Sequence, residues 1–372
     1  MAIVDSGDAD LSVLGERLQT WVRGQAGGRE ARISGLRSAS DANGFSNATY
    51  RFTLAAPGGR DEELILRLPP ARAGLFPDYD MARQYAFMQR LQGEPGLAMA
   101  RCRWLEQDPA ALGRPFYVAE FVAGETASDQ PKYLCEGWIV DADAAQRRRL
   151  WDSSVEQLIR LARIRWHGER LASLDWADRQ SPRLSQHLAM WAHMGAWGAQ
   201  QLPPAADPFV DELAAWLHAQ RPREERPGVV WGDSRFGNIL YRDFQPAALL
   251  DWELAVIGDP MTDLAYMLFH VFLTELYHGE AGAPSARLSG FRGDAQTVAI
   301  YCEATQRSAQ DYRYYWLFNA YKMLCIWQCK AALMVRSGVW SREQALRERR
   351  GERLRPWISQ VLESGPESAY LR

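Results

Sequence analysis

Three residues near the middle of the chain have the types and spacing that phosphoryl transfer needs. In the stretch Val229–Tyr266, VVWGDSRFGNILYRDFQPAALLDWELAVIGDPMTDLAY, Asp233 and Asn238 are five positions apart, with Gly237 between them. Asp251 follows thirteen positions after Asn238, behind Ala248-Leu249-Leu250 and ahead of Trp252-Glu253. In such a set one carboxylate orients an attacking hydroxyl and accepts its proton. An amide and a second carboxylate hold a divalent metal on the phosphates. Little covalent work falls to the protein, so position and charge carry most of the catalysis.

These residues need a scaffold, and hydropathy patterning outlines one. Leu11 to Val22 has helical periodicity. Ala48 to Leu54 (ATYRFTL) and Glu63 to Leu68 (ELILRL) are β-type runs joined through Pro57-Gly58-Gly59, which predicts a hairpin. Asp80 to Leu91 places Met81, Tyr85, Met88 and Leu91 on one helix face. Cys102 to Glu106 and Phe116 to Val122 predict two more strands. Beyond Gly124 the pattern turns helical: Trp151 to Trp166, Ser185 to Trp197, Phe209 to Ala219, Met261 to Leu276 and Asp311 to Val335. The last of these is interrupted by Arg313, Lys322 and Lys330. Short strands at Val229-Val230, Ile239 to Tyr241 and Ala248 to Leu250 surround the chemical segment, and a charged final helix starts near Ser341. The expectation is an α+β chain in two units. Residues 1–123 form a small antiparallel-sheet unit with one inserted helix, and residues 124–372 form a larger, mainly helical unit.

The central stretch resembles the aminoglycoside phosphotransferase and choline kinase-like family, which has a protein-kinase-like fold of two lobes. The family's catalytic loop, His-Gly-Asp-x-x-x-x-Asn, is matched by Trp231-Gly232-Asp233-Ser234-Arg235-Phe236-Gly237-Asn238. Its metal segment is matched by Leu250-Asp251-Trp252-Glu253, then Gly258-Asp259-Pro260 and Asp263-Leu264-Ala265. The likeness covers nearly the whole chain. It is nearest to a bacterial subgroup related to the kinase-like domain fused to some acyl-CoA dehydrogenases. The resemblance implies Asp233 as catalytic base, Asn238 and Asp251 as Mg²⁺ ligands, and Glu253 as support for a second metal or for the acceptor. Asp259 and Asp263 are expected to bond backbone at a helix start. Trp231 replaces the family's scaffolding His and is expected to serve by packing and an indole N–H bond.

The resemblance also assigns the N-terminal unit, as a nucleotide-binding lobe. Asn43, Gly44, Phe45, Ser46 and Asn47 match a loop that caps the β- and γ-phosphates of ATP. Arg67 stands on the following strand, where a cation contacts the α- and β-phosphates with a permanently charged fork. Gln84, in Arg83-Gln84-Tyr85, replaces the Glu that many relatives pair with that cation. A neutral partner supplies a weaker bond, a loss of about 1 kcal/mol. The Glu120 carbonyl and the Val122 amide would read the adenine edge.

Composition narrows the function further. The chain has 372 residues, a net charge of -3, 47% hydrophobic and 24% charged residues. No basic footprint for nucleic acid appears. No run reaches the ~18 apolar residues of a membrane span, and the acidic first residues do not make a signal peptide. Five Cys, odd in number, fit a reduced cytoplasm, with Cys325 and Cys329 read as core. The six His form no metal-ligand set. Thirteen of the 15 Trp follow Gly124. The helices expected to form the acceptor cleft mix Trp, Tyr, Met and Arg rather than the carboxylates that suit polycationic aminoglycosides.

The implied activity is ATP- and Mg²⁺-dependent phosphorylation of a small-molecule hydroxyl, with a hydroxyacyl-CoA-like or other partly apolar acceptor suggested by the nearest subgroup. An antibiotic kinase and a catalytically weak nucleotide-binding scaffold are the alternatives. A protein kinase fits less well, because no Ala-Pro-Glu pattern follows Asp251. Oligomeric state is not legible in the sequence.

Overall fold

Period-two alternation builds the first unit. In β3 (Glu62–Leu68) the side chains of Leu64, Leu66 and Leu68 are buried while Glu63, Ile65 and Arg67 lie on the other face, as a strand with one covered face requires. The computed structural model of the chain describes residues 11–25, 30–39, 47–55, 60–71, 74–129, 132–166, 174, 183–203, 207–222, 226–279 and 285–364. Its contacts divide the chain into two units, Met1–Glu94 with Met99–Ala123, and Pro95–Ala98 with Gly124–Arg372.

The first unit is a five-stranded antiparallel sheet in the order β1 (Arg32–Ser38), β2 (Ala48–Ala55), β3, β5 (Phe116–Glu120), β4 (Cys102–Glu106). The register sets Thr49 and Tyr117 on either side of Arg67. Helix α1 (Leu11–Gln25) buries Leu14, Leu18 and Val22, spaced four apart, against Phe52, Leu54, Leu64, Leu66, Phe116 and Val118. Each such side chain contributes about 1.5–3 kcal/mol. Helix α2 (Met81–Leu91) begins at Asp80, whose carboxylate accepts from the Arg83 N–H at 2.9 Å, the usual way of satisfying a first-turn amide.

The second unit is mainly helical. In chain order it contains α3 (Trp138–Asp141), α4 (Ala144–Arg163), α5 (Arg183–Gln201), α6 (Pro208–Ala219), α7 (Met261–His278), α8 (Asp294–Thr305), α9 (Tyr312–Arg336), α10 (Arg342–Glu348) and α11 (Arg355–Glu363). The capping box of α4 is complete: Asp143 accepts from the Gln146 N–H and Gln146 from the Asp143 N–H. α9 packs on α5 and α7. A Cβ on Gly198 would sit 2.6 Å from the Cys329 nitrogen, so only glycine lets α5 approach α9 this closely. Cys325 and Cys329 lie in that seam, and burial pushes both thiols up to about 12. They are core residues, as expected. Two short antiparallel pairs, β6 (Gly228–Val230) with β9 (Val256–Gly258) and β7 (Ile239–Arg242) with β8 (Gln245–Leu249), frame the chemical segment.

Several elements differ from the patterning, among them α3 and β9, which no expected element covers. β1 and α8 were not expected, and the charged final helix is two helices, broken where Gly351 takes φ +63°. Trp151, Trp191, Trp231 and Trp252 are fully buried, so these tryptophans build core. Among the described residues, no helix is long and apolar enough to cross a membrane.

Candidate active site

The catalytic-loop residues follow directly from β6, which delivers the chain to Trp231-Gly232-Asp233. Gly232 has φ +90°, and a Cβ there would collide with the Leu254 carbonyl oxygen. No other residue fits. This turn aims the Trp231 and Gly232 N–H groups at the Asp263 carboxylate, at 2.6 and 2.9 Å. The Ser234 hydroxyl donates to the Asp263 carbonyl at 2.7 Å. Asp263, in the first turn of α7, therefore clamps the catalytic loop rather than its own helix start. Asp259 does cap: it accepts from the Met261 N–H at 2.9 Å and from Arg307 at 2.8 Å.

Asn238 ends a 3-10 turn (Phe236–Asn238) and is buried. Its Nδ2 donates to the Asp233 carbonyl at 2.9 Å and to Asp233 Oδ2 at 2.5 Å. The Leu250 N–H donates to the Asn238 carbonyl at 2.8 Å, which sets the backbone of Asp251 beside that of Asn238. Asp251 has φ +59°, a left-handed conformation that aspartate tolerates better than most residues. Glu253 follows in a 3-10 turn (Trp252–Leu254). Trp231 is fully buried, donates from its indole to the Leu250 carbonyl at 2.7 Å, and lies 6.0 Å from the Trp252 ring. It thus joins the Gly232–Asn238 loop to the Leu250–Glu253 segment by packing and one hydrogen bond.

Charges around Asp233 are ordered. Arg235 Nη1 is 2.6 Å from Asp129 Oδ2, and Arg235 Nε is 3.5 Å from Asp233 Oδ2. Burial opposes ionisation of Asp233, but the Arg235 and Lys322 charges and a hydrogen bond with Tyr266 hold its carboxyl below the usual carboxylate range. Arg235 stays firmly protonated, because Asp233 and Asp129 outweigh its own desolvation. Burial lowers the Lys322 ammonium to about 8, against the opposing pull of Asp233 and Asp263. Sequence reasoning missed Arg235, Asp129 and Lys322 as site residues. Lys322 left one trace, a charge interrupting an apolar helix.

The sheet unit carries the remaining candidates. Arg67 sits in β3 between Thr49 and Tyr117. Gln84 is buried on α2, but its Nε2 lies 3.8 Å from Met81 Sδ and its Oε1 accepts no hydrogen bond from the described residues. The expected hydrogen bond between Gln84 and Arg67 is not formed. Glu120 is the last residue of β5, and its N–H donates to the Arg101 carbonyl at 2.8 Å. Val122 follows two residues on and Asn47 is buried just before β2. Asn43, Gly44, Phe45 and Ser46 lie outside the described residues.

Comparison with known proteins places this geometry. The model of the phosphotransferase enzyme family matches residues 39–295. The mouse protein acyl-CoA dehydrogenase family member 10 is 25% identical over 233 residues, which are 62% of this chain and 20% of that protein. The chain thus spans a fifth of that relative's length. A putative aminoglycoside phosphotransferase from Ralstonia eutropha superposes with a TM-score of 0.69 at 24% identity, over 94% of this chain and 97% of that one. A thermostable mutant of aminoglycoside phosphotransferase APH(4)-Ia, solved with ADP and hygromycin B, has a TM-score of 0.55 at 14% identity over 94% and 99%. The fold is therefore kinase-like, and the chain belongs to the phosphotransferase enzyme family.

Proposed function

We propose that the chain is an ATP-dependent kinase that moves the γ-phosphoryl group onto the hydroxyl of a small molecule. The observation that carries this reading is the double hydrogen bond from Asn238 to Asp233. It fixes a carboxylate beside an amide whose remaining oxygen suits a hard cation. An ADP complex of a fold relative supports nucleotide binding.

The donor set Asn238, Asp251 and Glu253 is all oxygen, the chemistry that Mg²⁺ prefers. Among the described residues, no three His, Cys, Asp or Glu side chains form a metal group by themselves. When bound, Mg²⁺ would neutralise charge on the phosphates. Asp233, ionised at neutral pH, would orient the acceptor hydroxyl and take its proton. Arg235 would keep that carboxylate charged, and Arg67 in the sheet unit would contact the α- and β-phosphates. Asn43, Gly44, Phe45, Ser46 and Asn47 would cap the outer phosphates, and Glu120 and Val122 would read adenine through their backbones.

For the acceptor, the name of the mouse relative favours a partly apolar hydroxyl compound such as a hydroxyacyl thioester over a polycation. Aminoglycosides remain the competing acceptor class, since fold relatives act on them. The unfulfilled Gln84 carboxamide motivates a second reading, a scaffold that binds nucleotide and turns it over poorly. The test is Asp233→Asn. Transfer from ATP should fall by about 10²–10⁴-fold while Mg-ATP binding, read by calorimetry, persists. Undiminished turnover in that variant would overturn the assignment.

A further inference from the structure

Lys322 lies in the middle of α9 and is 2% exposed. An ammonium removed from water carries a large desolvation cost and persists only when its surroundings answer it. Here they do so on every side. Its Nζ donates to the carbonyl of Gly232, the residue immediately before Asp233. The same nitrogen is 3.6 Å from the centroid of the Tyr266 ring and 5.3 Å from that of Trp191. The Asp233 and Asp263 carboxylates attract it and Arg235 repels it. Tyr266 also helps hold the Asp233 carboxyl below the usual carboxylate range.

The peptide between Trp231 and Asp233 is thus gripped at both ends. Asp263 takes the two N–H groups and Lys322 takes the carbonyl. The turn at Gly232 is what lets one residue present its N–H to a carboxylate from α7 and its carbonyl to an ammonium from α9. A buried carbonyl needs one donor, which a hydroxyl or amide could supply. A full charge set between two carboxylates does more than satisfy it. We infer that Lys322 is a positioning residue for phosphoryl transfer, holding the Gly232 peptide and the Tyr266 ring so that the Asp233 carboxylate keeps its orientation. α9 thereby becomes part of the catalytic loop's support rather than core alone.

This inference rests on the kinase reading given above, and its test separates the two. Lys322→Met keeps the length and removes the charge and the donor; Lys322→Arg keeps both. Three quantities are compared with the wild-type chain: melting temperature, steady-state hydrolysis of Mg-ATP with water as acceptor, and amide hydrogen exchange. Lys322→Met should lower kcat by about tenfold or more with KM for ATP unchanged. It should raise exchange at 231–238 by about tenfold while α9 itself stays protected, and the melting temperature should fall, because the Gly232 carbonyl loses its donor and two carboxylates lose their cation. Lys322→Arg should restore much of both. A fall in melting temperature with the loop still protected and kcat unchanged would overturn the inference, leaving Lys322 a plain core contact. If the wild-type chain hydrolyses no ATP, the kinase reading suffers, while loop exchange in Lys322→Met still decides the role of Lys322.

Discussion

The two units hold their candidate residues in different ways. In the helical unit every group near Asp233 is fixed by a partner from elsewhere in the chain: Asn238 from the same loop, Asp263 from α7, Lys322 from α9, and Asp129 through Arg235. In the sheet unit the strand ladder fixes the backbone of Arg67. Arg67 is positioned by its register with Thr49 and Tyr117, while Gln84 is buried with a carbonyl oxygen that receives no hydrogen bond from the described residues. The contrast fits the division of labour in phosphoryl transfer. The group that takes a proton must be preorganised to a fraction of an ångström, whereas charge neutralisation of a phosphate tolerates looser placement, because Coulomb attraction falls off gently with distance.

The heaviest blow to the preorganised half should come from Asp263→Ala. It strips two buried backbone N–H groups of their acceptor and leaves Lys322 with one carboxylate fewer. A broken buried pair costs about 3–5 kcal/mol. Urea unfolding should show a loss of that size, with turnover per folded molecule also reduced. A loss below about 1 kcal/mol would mean that the clamp is no more than surface-like, and the contrast between the units would collapse. Asp263→Asn, which keeps one acceptor oxygen, should fall between the two.

That clamp also marks the limit of what the sequence discloses. Asp233, Asn238 and Asp251 are legible because their spacing is local, within one strand-turn-strand segment. Their supports are not, since Asp263 lies 31 positions from Gly232 and Lys322 lies 90 positions from it. Only folding brings them together. Regular alternation or helical spacing made β2, β3, α2 and β4 readable to within a residue or two. β1 escaped because its register shifts between Ser34 and Arg37, where Gly35 takes φ +64° and the period of two is lost. α8 escaped because its apolar residues do not gather on one face. The bond between Gln84 and Arg67 is not formed, because a side chain's partner depends on rotamer and packing.

A milder test of the same half uses pH. His270, on α7 and 6.0 Å from the Tyr266 ring, is pushed from 6.5 down to about 4, by burial first and then by the Arg235 charge. Between about pH 6.5 and 4 the unfolded chain therefore binds a proton that the folded chain resists, and stability falls as pH falls. The loss, complete below about pH 4, is of order 2 kcal/mol for a half-buried ring. His270→Gln should flatten that part of the melting-temperature profile while leaving the plateau near pH 7 close to wild type. An unchanged acid limb would show that burial does not hold the His270 ring neutral in the folded chain.

The smallest expected effect lies in the sheet unit, and it is the one that could raise function. Gln84→Glu places a carboxylate on α2. A charge-assisted bond to a cation exceeds a neutral one by about 1 kcal/mol, so Mg-ATP affinity should rise by about threefold to tenfold, with kcat little altered. Against this stands the cost of placing a charge at a buried position. The variant is therefore measured for melting temperature as well as for nucleotide affinity. Tighter binding at constant stability would show that Arg67 is within reach of position 84 and that the sheet unit is merely undercharged. Unchanged binding with a lower melting temperature would show that Arg67 is held by other partners.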